Sequence, residues 1–432
     1  MGTTVVRGGR VVDAAGSRDA DVLVTSEGTI LAVGSNLQGD RTLDASGCVV
    51  APGFVDLHVH LRQPGREEAE TIETGARGAA LGGFTAVVAM PNTTPTMDCA
   101  SVVRDVIELS RGAACDVFPS AAITVGRKGD ALTPMAELVQ LGVRVFTDDG
   151  DGVQDARLMR RALEYASGLT PFAGGRTVTL AQHCEVKALA DGGYMHEGAW
   201  SSTLGIPGQP SEAESLMVAR DIALAKRTGA RVHFQHLSCA DSVALVRAAK
   251  AAGLPVTAEA TPHHFCLTDA CCASYDTVFK VHPPLRTDAD VAAIREGLLD
   301  GTIDAIATDH APHTAQDKEL PFDQASPGML GLETAFALAN TELGLPIERL
   351  LALLSWQPAA IAGIGDRHGC AIVAGAPANL AVIDPNLEWI VRGNAMASRS
   401  RNTPFEGRTV RGRVRHTILS GDVVVDGGEV QR

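Results

Sequence analysis

Short runs of β-favouring apolar residues recur along the chain, and the segments between them change character twice. Over residues 3–50 the runs stand close together (TTVVRGGRVVD, DVLVTSEGTILAVG, GCVVAPG), separated only by Gly, Asp and Ser turn signals. Residues 378–430 repeat that style in ANLAVID, RTVRGRVRHTILSG and DVVVDGG. In the middle, helical periodicity fills the gaps, as in ASVVRDVIELSRG, DARLMRRALEYASG and SEAESLMVARDIALAKRTG. The middle runs are FVDLHVH (54–60), TAVVAM (85–90), CDVFPSA (115–121), RVFTDD (144–149), TVTLAQHCE (177–185), RVHFQHLS (231–238), PVTAEATP (255–262) and DAIATDHAP (304–312). The first five start at 54, 85, 115, 144 and 177, in steps of 31, 30, 29 and 33, one βα unit each. Eight such units predict an α/β fold of the TIM type, a (β/α)8 barrel over 52–373, with its active site at the C-terminal ends of the strands. The β-rich ends, 1–51 and 374–432, are expected to pair into one small discontiguous β-sandwich domain. A doubly wound open sheet is the competing topology, but no G-x-G-x-x-G follows a strand. The run ARGAALGGF reads as helix–strand packing and a helix cap rather than a phosphate cradle.

The barrel assignment predicts where chemistry should sit. By the period of two, Phe54, Asp56, His58 and His60 share one face of the first strand, leaving Val55, Leu57, Val59 and Leu61 for the helices. His183 ends the fifth strand in line with Thr177, Thr179 and Ala181, which turns Cys184 away. His236 aligns with Val232 and Phe234 on the sixth strand, with His233 opposite, and Asp309 with Ala305 and Ala307 on the eighth. The fourth strand ends in Thr147-Asp148-Asp149-Gly150, and periodicity does not choose between the two acids. A single His or Asp at a strand end is usually a turn or core residue, but six at barrel strand ends form a ligand set. Imidazole and carboxylate donors without aligned cysteine suit Zn²⁺ or a similar divalent ion in hydrolysis. His196, His368 and His416 read as solvated loop groups, and His263 and His264 as packing or supporting residues.

Composition narrows the class. Of 432 residues, 45% are hydrophobic and 20% charged, enough for a full core and, by length, two or three domains. A net charge of −14 argues against a nucleic-acid partner, as does an aromatic content of 4%. No apolar run approaches the ~18 residues of a membrane span, and the first ten residues lack an apolar signal core. Nine cysteines, an odd count with no C-x-x-C grid, suggest reduced thiols and a cytoplasmic enzyme.

The run PGFVDLHVHLRQPG resembles the opening signature of the cyclic amidohydrolases, most closely the class I dihydroorotases. The resemblance continues through AMPNT, FTDDG, AQHCE, HFQHLS, AEATPHH, HPPLR, IDAIATDHAPH and PGMLGLETA, and covers nearly the whole chain. Hydantoinases and allantoinases usually carry a carboxylated lysine at the end of the fourth strand. This chain has none there, and its DDG resembles the dihydroorotase pattern, which implies Asp149 as the bridging ligand. The resemblance then implies two zinc ions per subunit, a single ion being the alternative. His58, His60 and Asp309 would hold one, His183 and His236 the other, with Asp149 between. It implies Asp309 as the catalytic acid–base and a small-molecule substrate, N-carbamoyl-L-aspartate or (S)-dihydroorotate, in pyrimidine biosynthesis. Arg62 and Asn92 would hold the substrate carboxylate, and His60, His313 and the backbone at Pro327 and Gly328 would contact the substrate. Homo-oligomerisation is expected, and some relatives associate with aspartate transcarbamoylase. The rival readings are another cyclic-amide hydrolase, or a silent homologue that scaffolds aspartate transcarbamoylase.

Two residues depart from the pattern. Gln63 stands where the family usually has an acid, implying a neutral hydrogen bond in place of an ion pair. His282 replaces the Asn of NPPLR and is expected to donate a ring N–H to substrate. With an ordinary imidazole titrating near pH 6.5, affinity would improve as pH falls.

Overall fold

The computed structural model describes residues 2–432. The β-rich ends pair as the pattern predicts. Strand Val49–Pro52 lies antiparallel to Leu380–Ile390, with Val50 opposite Val382 and Pro52 opposite Leu380. That joint belongs to a seven-stranded sheet drawn from both termini, and a four-stranded sheet from residues 3–44 faces it. Val6, Val22, Val24 and Leu43 of the smaller sheet meet Val11, Val50, Leu380, Val382 and Ile418 of the larger in one apolar cluster. Two sheets closed over a shared core make a sandwich.

The middle of the chain forms the (β/α)8 barrel. Its strands are Phe54–Val59, Phe84–Ala89, Asp116–Pro119, Val145–Phe146, Thr179–Gln182, Val232–Phe234, Val256–Ala260 and Ala305–Ile306. Parallel pairing joins the first three and the last five, and bridges Ala121–Phe146 and Val59–His310 close the ring. The first helix, Ile72–Leu81, starts at a capping box in which the Thr71 side chain accepts from Thr74 N–H. It ends where a Cβ on Gly82 would lie 2.2 Å from the Leu332 carbonyl oxygen, so ARGAALGGF is indeed close packing.

The structure corrects the facing of two strands. Val55 and Leu57 join Ala86, Val88, Val145, Ala181, Ala305 and Ala307 in one cluster. Residues from opposite sides of a barrel can meet only inside it, so Val55 and Leu57 point inward. Phe54 instead packs outward on Phe84 and Phe336, with ring centroids 5.6 and 5.8 Å away. A register irregularity between Asp56 and Val59 then reverses the alternation, which returns His58 and His60 to the interior and puts Val59 and Leu61 among the helices. In the sixth strand Val232 and Phe234 pack outward, while His233 and Gln235 point in. His236 reaches the interior because its backbone turns to φ 32°, a left-handed conformation. The fifth strand obeys the simple alternation: Ala181 is inside, Leu180 and Cys184 outside. His196, His368 and His416 are buried rather than solvated. His368 sits between the Thr85 hydroxyl at 3.1 Å and an Asp116 oxygen at 3.1 Å.

Candidate active site

The six expected ligand residues converge at the C-terminal mouth of the barrel, all buried. Asp56 sets the first and eighth strands in register. Its carboxylate accepts from His58 N–H at 3.0 Å, Thr308 N–H at 3.1 Å and the Thr308 hydroxyl at 2.6 Å. Those contacts fix the backbone on which His58 and Asp309 are carried. Burial lifts the Asp56 carboxyl to about 7.

Asp149 lies among four imidazoles. One or other of its oxygens is 3.2 Å from His58 Nε2, 3.6 Å from His60 Nε2, 3.6 Å from His183 Nδ1 and 3.8 Å from His236 Nε2. Asp148 turns outward instead, where its carboxylate accepts from Thr124 N–H at 3.0 Å and from the Thr124 hydroxyl. Asp309 Oδ1 is 3.0 Å from His60 Nε2 and 3.5 Å from His58 Nε2. Asp309, at φ 46°, and Arg62, at φ 61°, share the left-handed backbone of His236. Such strain in non-glycine residues persists where the surroundings enforce it.

Charge is concentrated here. Burial raises Asp149 and Asp309, but the neighbouring imidazoles outweigh it and hold both carboxyls well below the usual range. Burial lowers His58, yet Asp149 and Asp309 carry it well above 6.5, and Asp149 with Glu185 lifts His183 to about 10. Ligating atoms of His58, His60 and Asp309 lie within 4.8 Å of one another, as do those of His58, Asp149 and His236. His58 Nε2 and His236 Nδ1 are buried with no hydrogen-bond partner. His58 Nε2, orphaned beside the ionised Asp149 and Asp309 carboxylates, fits a divalent cation, and the cluster has the donors a metal site needs.

A cavity of about 240 Å³ opens over the cluster and is lined by His60, Arg62, Asn92, Asp149, His282, Asp309, His313, Pro327 and Gly328 among others. Asn92 Oδ1 accepts from His60 Nδ1–H at 3.0 Å, and its Nδ2 donates to Asp149 at 3.3 Å. That contact leaves His60 Nε2 as the nitrogen that faces Asp309 and the cluster. Arg62 Nε donates to Pro312 O at 3.0 Å, and His313 Nε2 donates to Pro327 O at 2.7 Å. A side chain at Gly328 would come within 2.9 Å of that same His313 nitrogen.

Sequence comparison agrees with this geometry. Residues 47–242 match the family described as dihydro-orotase-like. A dihydroorotase of Pelotomaculum thermopropionicum is 47% identical over 98% of each chain, and one of Streptomyces coelicolor 47% identical over 99% of each. The chain belongs to the dihydroorotase family. Like its family it is a cyclic amidohydrolase, an enzyme. Among solved structures, an L-hydantoinase (dihydropyrimidinase) of Arthrobacter aurescens has a TM-score of 0.88 at 25% identity, over 100% of this chain and 98% of that one. A dihydropyrimidinase of Brevibacillus agri, at 23% identity and a TM-score of 0.85 over 99% and 96%, shares the fold.

Two family-pattern departures acquire physical roles. Gln63 Oε1 accepts from Ile72 N–H at 3.0 Å, so it steadies the start of the first helix. His282 lines the cavity, but burial pulls its imidazole down to about 4 and keeps it neutral. The expected gain in affinity on acidification is therefore corrected: a neutral ring near pH 6.5 has no charge to gain there.

The strand-end pattern does not single out Glu259, although an acid inside the run PVTAEATP is itself a signal. Fully buried, it accepts from His58 Nδ1–H at 2.9 Å and from His233 Nε2–H at 2.9 Å. These bonds hold the Glu259 carboxyl down at about 2 against burial and leave His58 Nε2 facing the cluster. His264 supports the HPPLR turn, with Nε2 donating to Pro283 O at 3.0 Å. Among the described residues no helix is long and apolar enough to cross a membrane.

Proposed function

We propose that this enzyme is a zinc-dependent dihydroorotase that reversibly closes N-carbamoyl-L-aspartate to (S)-dihydroorotate in pyrimidine biosynthesis. The observation that carries the reading is Asp149, an acid and not a lysine, seated among four strand-end imidazoles beneath a cavity lined by a half-buried arginine. We assign His58, His60 and Asp309 to one zinc ion and His183 and His236 to a second, with Asp149 between them. Zinc bound there would supply Lewis-acid polarisation of water and of the ring carbonyl.

The chain's own groups do the rest. Asp309, ionised because His58 and His60 outweigh its burial, accepts a proton from water and delivers it to the leaving amide nitrogen. In ring closure it takes the proton from the carbamoyl nitrogen. Arg62 presents a planar donor fork to the substrate carboxylate, with Asn92 beside it. Its guanidinium is lowered to about 10 by burial and stays charged at neutral pH. His60, His313 and the backbone at Pro327 and Gly328 contact the ring, and His282, which lines the same cavity, donates a ring N–H to it. The complete ligand set speaks against a silent scaffold.

We place the domain limits at 1–51, 52–373 and 374–432, supported by the pairing of 49–52 with 380–383. The enzyme is assigned to the cytoplasm, supported by nine free cysteines. A homo-oligomer is proposed, with aspartate transcarbamoylase the partner suggested by family resemblance, and size-exclusion of the two enzymes together tests it.

The functional test is ring opening of dihydroorotate, hydantoin and allantoin by protein of measured zinc content. Dihydroorotate should be turned over fastest; faster opening of either alternative overturns the reading. His282 has its own test. H282N is expected to change KM by about 3- to 10-fold, the effect of one hydrogen bond. Because His282 is neutral throughout, the shape of KM against pH from about 5.5 to 8 should match wild type. An unchanged KM would reduce His282 to a packing role.

A further inference from the structure

One wall of the cavity is held by a side chain from the far end of the sequence. Asn402 lies in the segment 391–408, which joins the long strands Leu380–Ile390 and Thr409–Leu419 of the terminal β domain. It is buried, and both ends of its amide are engaged. Oδ1 accepts from His313 N–H at 3.2 Å, while Nδ2 donates to Ala311 O at 2.9 Å and Gly328 O at 3.1 Å. Its own carbonyl accepts from Leu330 N–H at 3.2 Å. One residue thus ties together the two stretches that bring His313 and Gly328 to the cavity. The segment is itself moored to the barrel, through the Ser398 hydroxyl on Glu70 and the Ser400 hydroxyl on Ala69 O at 2.8 Å. None of Asn402's hydrogen bonds reaches the His/Asp cluster.

We propose that Asn402 is a positioning residue for substrate binding, through which the terminal β domain sets the spacing of His313 and Gly328. The inference rests on the dihydroorotase reading for its kinetic part. Only a side-chain amide of this length offers one acceptor and two donors to this trio of backbone groups. Truncation leaves the His313 N–H and the Ala311 carbonyl to find other partners and leaves Gly328 O to Lys318 Nζ alone, at 3.2 Å, so the wall relaxes. Because the wall contacts substrate and the chemistry lies at the cluster, the loss belongs in KM rather than kcat.

The test compares N402A and N402D with S400A, which cuts a mooring bond of the same segment without touching the wall. N402D keeps the acceptor for His313 but sets a carboxylate oxygen against two carbonyls, and serves if N402A does not fold. With dihydroorotate, either 402 variant should show KM raised at least about 5-fold and kcat within about 3-fold of wild type. In N402A the peptide containing the His313 amide should exchange hydrogen faster than in wild type. S400A should match wild type in both. KM within twofold of wild type, a loss confined to kcat, or the same change in S400A would each overturn the proposal. If wild type fails to open dihydroorotate, the functional reading falls, and exchange at His313 alone decides the positioning: unchanged exchange in N402A overturns it.

Discussion

Replacing Asp309 by Asn is expected to lower turnover of dihydroorotate at least ~10²-fold, the scale of a lost general acid–base. Asn keeps the shape of the side chain and can still meet His60 Nε2, which stands 3.0 Å from Asp309 Oδ1. It cannot take a proton from water, and its amide oxygen is a weaker metal donor than a carboxylate. The surrounding imidazoles hold Asp309 ionised, so at neutral pH the native residue is in the form that can accept a proton. The loss should therefore fall mainly on kcat, measured beside zinc content and melting temperature so that folding and loading are separated from proton transfer. Near-native turnover in loaded D309N protein would sink the assignment of the proton to Asp309.

Removal of metal should have an effect at least as large. Chelator-treated protein is expected to lose ring opening and regain it with zinc, and activity surviving in metal-free protein would end the metal hypothesis. His58→Ala and His183→Ala should each lower bound zinc, because each removes a ring nitrogen from the cluster. E259Q tests the support behind His58. A glutamine keeps the size but replaces the charged acceptor of the His58 Nδ1 proton, and zinc affinity should fall about 10–100-fold. Competition with a coloured chelator reads this without an activity assay. Glu259 also links stability to pH. Its folded value of about 2 lies below its ordinary 4.5, so its contribution is present above about 4.5 and fades as pH falls toward about 2. E259Q should lose that portion of the acid sensitivity.

Much of this site could be read from residue order alone. The steps of about thirty residues specified the barrel, and strand-end His and Asp supplied the ligand set, because one strand per βα unit leaves few places for polar groups to meet. Alternation failed where the pleat is interrupted. Period-two reasoning assumes an unbroken strand, and one irregularity after Asp56 moves every later side chain to the opposite face. His236 looked correctly placed for the wrong reason: its strand points Phe234 outward, and a left-handed turn brings the imidazole back. The burial of His196, His368 and His416 is not legible in the sequence, which marks a loop but not what packs over it. Asn402 was invisible for a related reason. Its partners lie 74 to 91 residues away, and nothing local distinguishes it from any surface asparagine.

The pairing of 49–52 with 380–383 also orders events in time. Strand Val49–Pro52 is made early, yet its antiparallel neighbour emerges from the ribosome only after the entire barrel sequence. Until then the edge that will receive Leu380–Ile383 stays open, and the first barrel strand begins just beyond it at Phe54. Contacts so distant in sequence are slow to close, and an open edge is a template for foreign strands. The last fifty residues therefore complete the molecule twice over, capping that edge and delivering the segment that carries Asn402. A ribosome stalled before residue 380 would leave a chain that holds all six strand-end His and Asp residues and lacks four of the seven strands of its larger sheet.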